Sequence, residues 1–214
     1  MSSLINTQAD LDAAITALLA ADPRLAPVLA VAGEVPLRRR EGGLEGLIRI
    51  VMGQQLSTAS ADAIWNRLRA AYEPFHHTAL LRARTTRLQR AGLSAAKIKT
   101  VKAIARAVAD GAIDFDALAA MPADDAHAVM TAVHGVGPWT TDLYLLSCVG
   151  HGDAWPAGDL ALQEAARLAL ALEARPTAKQ MVAMAELWRP WRAVAARLLW
   201  SYYRAVKRRE PVPV

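Results

Sequence analysis

The sequence is poor in cysteine, in long apolar runs and in strand-like patterns, and each shortage excludes a class of protein. Cys148 is the one cysteine among 214 residues, so no disulfide and no four-cysteine zinc or iron–sulfur site can form within the chain. No apolar run reaches the roughly eighteen residues of a membrane-spanning helix. The segment Met1–Asn6 has neither the basic start nor the apolar core of a signal peptide, so we expect a reduced, cytoplasmic protein.

The patterns that remain are helical. β-branched residues never alternate with polar ones over five or more positions, which argues against strands. Apolar residues instead recur every three or four positions, as at Ile98, Val101 and Ile104. Helix-capping residues such as Thr7 and Ser94 precede these runs, and Pro190 is predicted to open a last helix that ends near Lys207. We therefore predict an all-α fold.

A glycine-rich turn, Val133–Thr140, separates two of these helical patterns. Gly135 and Gly137 lack a Cβ, so the backbone can approach a partner closely there. The turn also presents amide N–H groups at the start of the second helix, which carries partial positive charge. Two interpretations fit these residues: an anion site suited to phosphate, or an ordinary tight turn between two helices.

Asp159 follows Gly137 by twenty-two residues, in the segment Trp155–Leu162. An aspartate directly before Leu-Ala-Leu is a good helix N-cap. A carboxylate at that position can also serve chemistry, because a helix N-terminus favours its ionised form. Both roles are compatible with the residues alone.

The order of these features resembles the helix-hairpin-helix DNA glycosylases, and within them the 3-methyladenine DNA glycosylase II family. Three further segments resemble that family: Ile50–Ser57, Gly92–Lys97 and Trp188–Arg192. The resemblance covers roughly residues 44–205. Longer bacterial members carry an N-terminal β-sheet domain, and this chain resembles the shorter, all-helical members instead.

The resemblance implies a single unit over residues 1–214, built from two helical lobes with the active-site cleft between them. It places lobe one at roughly residues 44–130 and the helix-hairpin-helix at 123–149. Lobe two then comprises roughly residues 1–40 together with 150–214.

The resemblance also implies an activity, the hydrolysis of the bond between an alkylated base and its deoxyribose in duplex DNA, which leaves an abasic site. Asp159 is the implied catalytic carboxylate, because cleavage of this bond builds positive charge on the sugar. Trp139 stands where related bifunctional enzymes place a lysine, which favours a monofunctional enzyme. Bases of the 3-methyladenine and 7-methylguanine type are cationic, so they can leave without an acid and are attracted to indole rings. The resemblance places Trp139 and Trp200 at the base pocket, with Leu143 at a position where some members have tyrosine. Tyr202, which we assign to the pocket, and Tyr203 are its candidate neighbours.

The DNA contacts follow from the same resemblance. Gln55 is the expected wedge that fills the space of the flipped base, with Leu56 beside it; a buried hydrogen-bonded corner is the alternative for Gln55. Phosphate contacts are expected at Gly135, Gly137 and Thr140, while His134 either touches a phosphate or lies on the loop. The family also binds a monovalent cation, Na⁺ or K⁺, through hairpin carbonyls. The carbonyls that match are those of Thr131, Val133 and Val136, and no other cofactor is expected.

Three other functions remain compatible with the sequence. One is a non-catalytic helix-hairpin-helix DNA-binding protein, and another is a glycosylase for oxidised or mismatched bases. The third is a helical small-molecule binder whose tryptophans line a pocket. The net charge of +5 is compatible with a nucleic-acid partner without demanding one. Our leading hypothesis is a monomeric glycosylase that acts on double-stranded DNA and does not associate with membranes.

Overall fold

The computed structural model describes residues 4–209, and the regular structure in this range is helical. The described residues form thirteen α-helices, and their one extended pairing is an isolated antiparallel bridge between Leu4 and His151. The prediction of an all-α fold is therefore confirmed. The outermost residues of the predicted 1–214 unit, 1–3 and 210–214, lie outside the described range.

The chain divides into two compact units, each with its own core. Residues 40–149 form one of them, which we call the central unit. Residues 1–39 and 150–214 form the other, which we call the terminal unit. Among the described residues, no single helix is long and apolar enough to cross a membrane, and one bent pair, Gln8–Ala21 with Pro23–Ala32, passes that test by length and composition only.

The terminal unit is built around its last helix. Its five α-helices are α1 (Gln8–Ala21), α2 (Ala26–Ala32), α11 (Leu160–Ala169), α12 (Ala178–Ala185) and α13 (Arg192–Arg209). Helix α13 packs against α1, α2 and α11. The Thr7 side chain caps α1 in a reciprocal capping box with Asp10, as the sequence predicts for that helix start.

A buried charge lies between two segments of the terminal unit. Asp22 ends α1, and its carboxylate accepts hydrogen bonds from Arg24 at 2.8 Å and from the Trp188 indole at 2.9 Å. The Arg24 guanidinium, helped by the Trp188 N–H, holds the pKa of Asp22 below its ordinary value against the opposing effect of burial. Trp188 is fully buried, so this contact fixes a large core side chain to the end of α1.

Helix α7 is the centre of the central unit. The predicted apolar face of α7, with Ile98, Val101 and Ile104, is buried. Helices α3, α5 and α6 pack against it. The eight α-helices are α3 (Gly43–Gly53), α4 (Thr58–Ala71), α5 (His77–Arg82), α6 (Thr85–Arg90), α7 (Ala95–Ala109), α8 (Ala117–Ala120), α9 (Ala123–Thr131) and α10 (Pro138–Tyr144). A π-helical turn, Leu145–Val149, ends the unit.

One predicted helix boundary is wrong. Pro190 was expected to open the last helix, but α13 begins at Arg192. The reason is a turn, in which the Trp191 N–H donates to the Trp188 carbonyl at 2.6 Å and delays the helix. Three of the six tryptophans, Trp65, Trp155 and Trp188, are buried as core residues.

Candidate active site and nucleic-acid interface

The predicted hairpin is present in the central unit. Helix α9 ends at Thr131 and α10 begins at Pro138, with Gly137 as its N-cap. A tight turn joins the two helices, in which the Val136 N–H donates to the Val133 carbonyl at 3.0 Å. Proline at the first helical position has no N–H, so it leaves no unsatisfied donor at this helix start.

The two hairpin glycines have different reasons to be glycine. Gly135 has a φ of +82°, and a Cβ on it would lie 2.0 Å from the Thr100 Oγ1. Its lack of a side chain is therefore required by the fold, because the turn packs directly on α7. Gly137 has a φ of −86°, and nothing in the described structure lies within 4 Å of a Cβ built there. No contact within the described structure therefore requires glycine at position 137. The open space there would let an external group approach the backbone closely.

The Thr140 hydroxyl is engaged within the protein. Thr140 is 2% exposed, and its Oγ1 accepts a hydrogen bond from the Gln54 Nε2 at 2.6 Å. A hydroxyl that accepts one bond can still donate another, but the burial of this one favours a role in fixing α10 to the end of α3. His134 is exposed on the turn. The phosphate contacts of Gly135, Gly137, Thr140 and His134 stay predictions.

The loop after α3, residues 54–57, which we call the wedge loop, presents the predicted wedge to solvent. Gln55 is exposed with a φ of +57°, and Leu56 is 41% exposed, which is uncommon for a leucine. The buried, hydrogen-bonded corner considered for Gln55 is formed by its neighbour Gln54 instead, as the contact with Thr140 shows. Insertion of Gln55 and Leu56 into DNA stays a prediction.

Lys97 supports this loop from α7, a role that the sequence did not reveal. Its Nζ donates to the Met52 carbonyl at 2.7 Å and to the Gln54 carbonyl at 3.1 Å. These carbonyls lie at the C-terminal end of α3, where helix geometry leaves them without donors. Partial burial lowers the pKa of Lys97 below its ordinary value, since desolvation disfavours the charged form. The position of the wedge loop therefore depends on α7.

Trp139 and Leu143 lie on one face of α10, four residues apart, and both are half-buried. The three carbonyls suggested as cation ligands lie directly before them. Thr131 ends α9, so its carbonyl has no donor within the helix, and the Val133 carbonyl keeps a second lone pair beside its bond to Val136. The donors therefore fit a monovalent cation, whose binding stays a prediction.

Asp159 is the candidate catalytic residue of the terminal unit. It is the N-cap of α11, and its Oδ1 accepts a hydrogen bond from the Leu162 N–H at 2.8 Å. The same oxygen accepts from the Trp200 indole N–H at 3.2 Å. The capping role is thus confirmed, and the structure brings the predicted catalytic carboxylate together with one predicted pocket tryptophan. Two N–H donors on one oxygen fix the direction of the carboxylate, and the catalytic role of Asp159 stays a prediction.

Helical geometry separates the two tyrosines beside Trp200. Residues two apart on an α-helix point about 200° away from each other, and residues three apart share a face. Tyr203 therefore lies on the Trp200 side of α13 and Tyr202 does not, although both are half-buried. Assignment of Tyr202 to the pocket stays a prediction, and the backbone favours Tyr203.

Comparison with known proteins decides the family. The sequence profile described as HhH-GPD superfamily base excision DNA repair protein matches residues 48–193. The chain belongs to this superfamily. That span runs from α3, before the wedge loop, to the start of α13, and it includes the hairpin and Asp159.

Individual relatives agree with this membership. The chain is 35% identical over 205 residues to the probable bifunctional transcriptional activator/DNA repair enzyme AlkA of Mycobacterium tuberculosis, covering 90% of this chain and 40% of that protein. The chain thus spans less than half the length of that relative. It is 31% identical to DNA-3-methyladenine glycosylase 1 of Schizosaccharomyces pombe, covering 78% of this chain and 75% of the relative.

A solved structure shows the same fold. The Schizosaccharomyces pombe 3-methyladenine DNA glycosylase (Mag1), in complex with abasic DNA, matches with a TM-score of 0.76 and 26% identity. The match covers 87% of this chain and 94% of that one. The similarity to the helix-hairpin-helix glycosylases inferred from the sequence is therefore confirmed at the level of family and fold.

Proposed function

We propose that the protein is a monofunctional DNA glycosylase that excises alkylated purines from duplex DNA. The observation that carries the proposal is the Asp159 carboxylate, capped by the Leu162 N–H and held by the Trp200 indole. The family membership and the 3-methyladenine glycosylases among the relatives support the substrate class.

The proposed chemistry needs one carboxylate. The bond from C1′ to the base nitrogen breaks, and its electron pair neutralises the cationic base, so no acid is required at the leaving group. Positive charge develops on the deoxyribose, and a nearby Asp159 carboxylate stabilises it. A water oxygen then bonds to C1′, and its proton passes to the Asp159 carboxylate, which leaves an abasic site. The absence of a lysine at Trp139 argues against a covalent lyase step.

Recognition is assigned mainly to the central unit. Gly137 leaves open space at the start of α10, so a phosphate oxygen can approach the backbone closely at this positive helix end. Gln55 and Leu56 at the exposed loop tip are suited to fill the space of a flipped base, which costs a few kcal/mol to extrude. Trp139 and Trp200 offer electron-rich rings to a flat cationic base.

The finer assignments belong to the same proposal. Double-stranded DNA with alkylated bases is the partner, and the protein acts as a monomer in the cytoplasm, on the nucleoid. A Na⁺ or K⁺ ion at the carbonyls of Thr131, Val133 and Val136 would link the hairpin to a DNA phosphate, and no other cofactor is required.

The test is base release from duplex DNA treated with a methylating agent, with the released bases identified by chromatography. We expect 3-methyladenine and 7-methylguanine in the product. Release of no base at all would leave a non-catalytic DNA-binding protein, and preferential release from 8-oxoguanine or hypoxanthine DNA would reassign the substrate. A DNA affinity that does not change with salt concentration would argue against phosphate contacts.

A further inference from the structure

A basic cleft lies in the central unit, away from the hairpin. It has a volume of about 940 Å³ and is lined by residues of 71–90, from the end of α4 through α5 and α6. Its lining includes one histidine, His76, and four cationic side chains, those of Arg82, Arg84, Arg87 and Arg90. The one acidic lining residue, Glu73, has its carboxylate 3.6 Å from Arg69, which does not line the cleft.

The four arginines have no carboxylate partner among the described residues. Arg82, Arg84 and Arg90 are exposed and make no ion pair there. Arg87 donates to the Ala71 carbonyl and lies over the Tyr72 ring, 4.8 Å from its centroid. The cleft therefore holds an unbalanced positive charge on side chains that match phosphate geometry well.

The positions of these arginines are unfavourable for the stability of helix α6. Arg84, Arg87 and Arg90 recur every three residues along α6, so like charges share one face, an arrangement that destabilises a helix. Arg84 also stands at the N-cap, makes no capping bond, and puts positive charge at the positive end of the helix. Several residues that are unfavourable for local helix stability, found in one segment, are typical of a functional site.

Helix α7 separates the cleft from the hairpin. Thr100 packs against Gly135 of the hairpin, whereas Lys102, two residues later, donates to the Ala83 carbonyl in the lining of the cleft at 2.9 Å. Residues two apart point to nearly opposite sides of a helix. A ligand in the cleft is therefore not the phosphate expected at Gly137.

We propose that this cleft binds a short single-stranded segment of nucleic acid through its phosphodiester backbone. From Arg84 to Arg90 the stripe rises about 9 Å, six residues at 1.5 Å each. Phosphates on one strand of a stacked duplex are about 3.4 Å apart along the axis and lie farther apart on an extended strand, so the stripe faces at most about three phosphates. A cavity of this size suits a ligand of a few nucleotides and not a whole duplex. Guanidinium planes such as that of Arg87 also offer stacking faces to unpaired bases.

Hydrogen exchange of the whole chain with a twelve-nucleotide oligothymidylate tests this directly. We expect protection of residues 72–90, read separately from any protection of the hairpin peptides. Thymidine monophosphate and polyglutamate at matched charge should protect this segment little. Equal protection by either probe, or none by the oligonucleotide, would overturn the proposal.

The double variant R84Q/R90Q, which removes two positive charges from the cleft, gives an independent test. The log–log salt slope of oligothymidylate binding should fall by about 1.4, or 0.7 for each lost phosphate contact. The control R175Q/K179Q removes two exposed charges from the terminal unit. An equal fall of the salt slope in that variant would show that the net charge of the protein, and not the cleft, determines binding. Base release from saturating methylated duplex should stay unchanged in R84Q/R90Q, so failure of the cleft proposal and failure of the glycosylase proposal are separate results.

Discussion

The central and terminal units hold their candidate functional groups by different means. In the central unit these groups are mainly main-chain N–H groups and an exposed loop tip, which Gln54, Lys97 and Thr100 position through contacts with neighbouring backbone and side chains. In the terminal unit the group is one carboxylate, Asp159, fixed by two N–H donors. Backbone shape suits recognition and a directed charge suits chemistry. Substitutions in the central unit should therefore change DNA binding, and those around Asp159 should change the rate.

The largest expected effect is that of Asp159→Asn. Asparagine is as good an N-cap as aspartate, so α11 should stay folded while the negative charge is lost. We expect single-turnover base release to fall by about 10²- to 10⁴-fold, with DNA affinity retained.

A matched control is Asp114→Asn in the central unit, where the side chain also accepts backbone N–H bonds at a helix start. It should leave the rate unchanged. Full activity of Asp159→Asn would show that the reaction does not need the Asp159 carboxylate, and it would contradict the difference in role between the two units.

The two hairpin glycines divide folding from binding within the central unit. Gly135→Ala places a Cβ against Thr100 at a positive φ, so the free energy of unfolding should drop by about 2–4 kcal/mol. Gly137→Ala meets open space, so it should melt close to the parent while its affinity for duplex DNA falls about tenfold, since a methyl group blocks the approach of a phosphate. Thermal melts and fluorescence anisotropy separate the two. Equal DNA affinity of Gly137→Ala and the parent protein would contradict the anion site.

Acid should act on the terminal unit through Asp22. Its pKa lies below the ordinary 3.8 because Arg24 and Trp188 stabilise the charged form, so the folded state binds this proton more weakly than the unfolded state. The resulting stability is complete above about pH 4 and is lost as the pH falls through the lowered value. Asp22→Asn should therefore cost about 2 kcal/mol at pH 7 and less at pH 2.

Denaturant unfolding at both pH values measures this difference, with the exposed Glu173→Gln as the control. A cost for Asp22→Asn that does not change with pH would show that its packing, and not its charge, supports Trp188.

The smallest expected effect is that of Trp200→Phe, which keeps an aromatic ring but removes the N–H that reaches Asp159. Base release should slow about tenfold, equivalent to about 1.4 kcal/mol, because the carboxylate loses a positioning donor. Trp155→Phe removes a comparable indole bond, to the Met181 carbonyl, and should lower stability without slowing the reaction. Equal rates for the two variants would mean that Trp200 does not orient Asp159.

Most of the fold could be predicted because its signals are local. Caps at Thr7, Ser57, Ser94 and Thr177 act within three residues, so the pattern of side chains reveals them directly. The start of α13 could not be predicted from Pro190, since the delaying turn depends on how Trp188 is fixed in the core. The short helices α5 and α6 are held by packing against α7, which no single segment encodes.

The candidate site was predictable to the extent that single positions carry it. Asp159 and Gly135 also have ordinary structural roles, so the order of these residues along the chain, and not their residue types alone, marked them as candidates. The contacts of Lys97 with the wedge loop and of Gln54 with Thr140 join residues 43 or more positions apart, so no pattern along the chain announces them. The arginine stripe of α6 was visible as a repeat of three, but its meaning depends on the cleft that it lines.

The backbone of Gln55 bears on any attempt to stabilise this protein. A left-handed φ of +57° costs a residue with a side chain about 1–2 kcal/mol, and glycine would avoid that cost. A selection for heat resistance would therefore favour Gln55→Gly and discard the exposed amide at the loop tip. Thermal stability and the proposed wedge role of Gln55 therefore make opposite demands on this position.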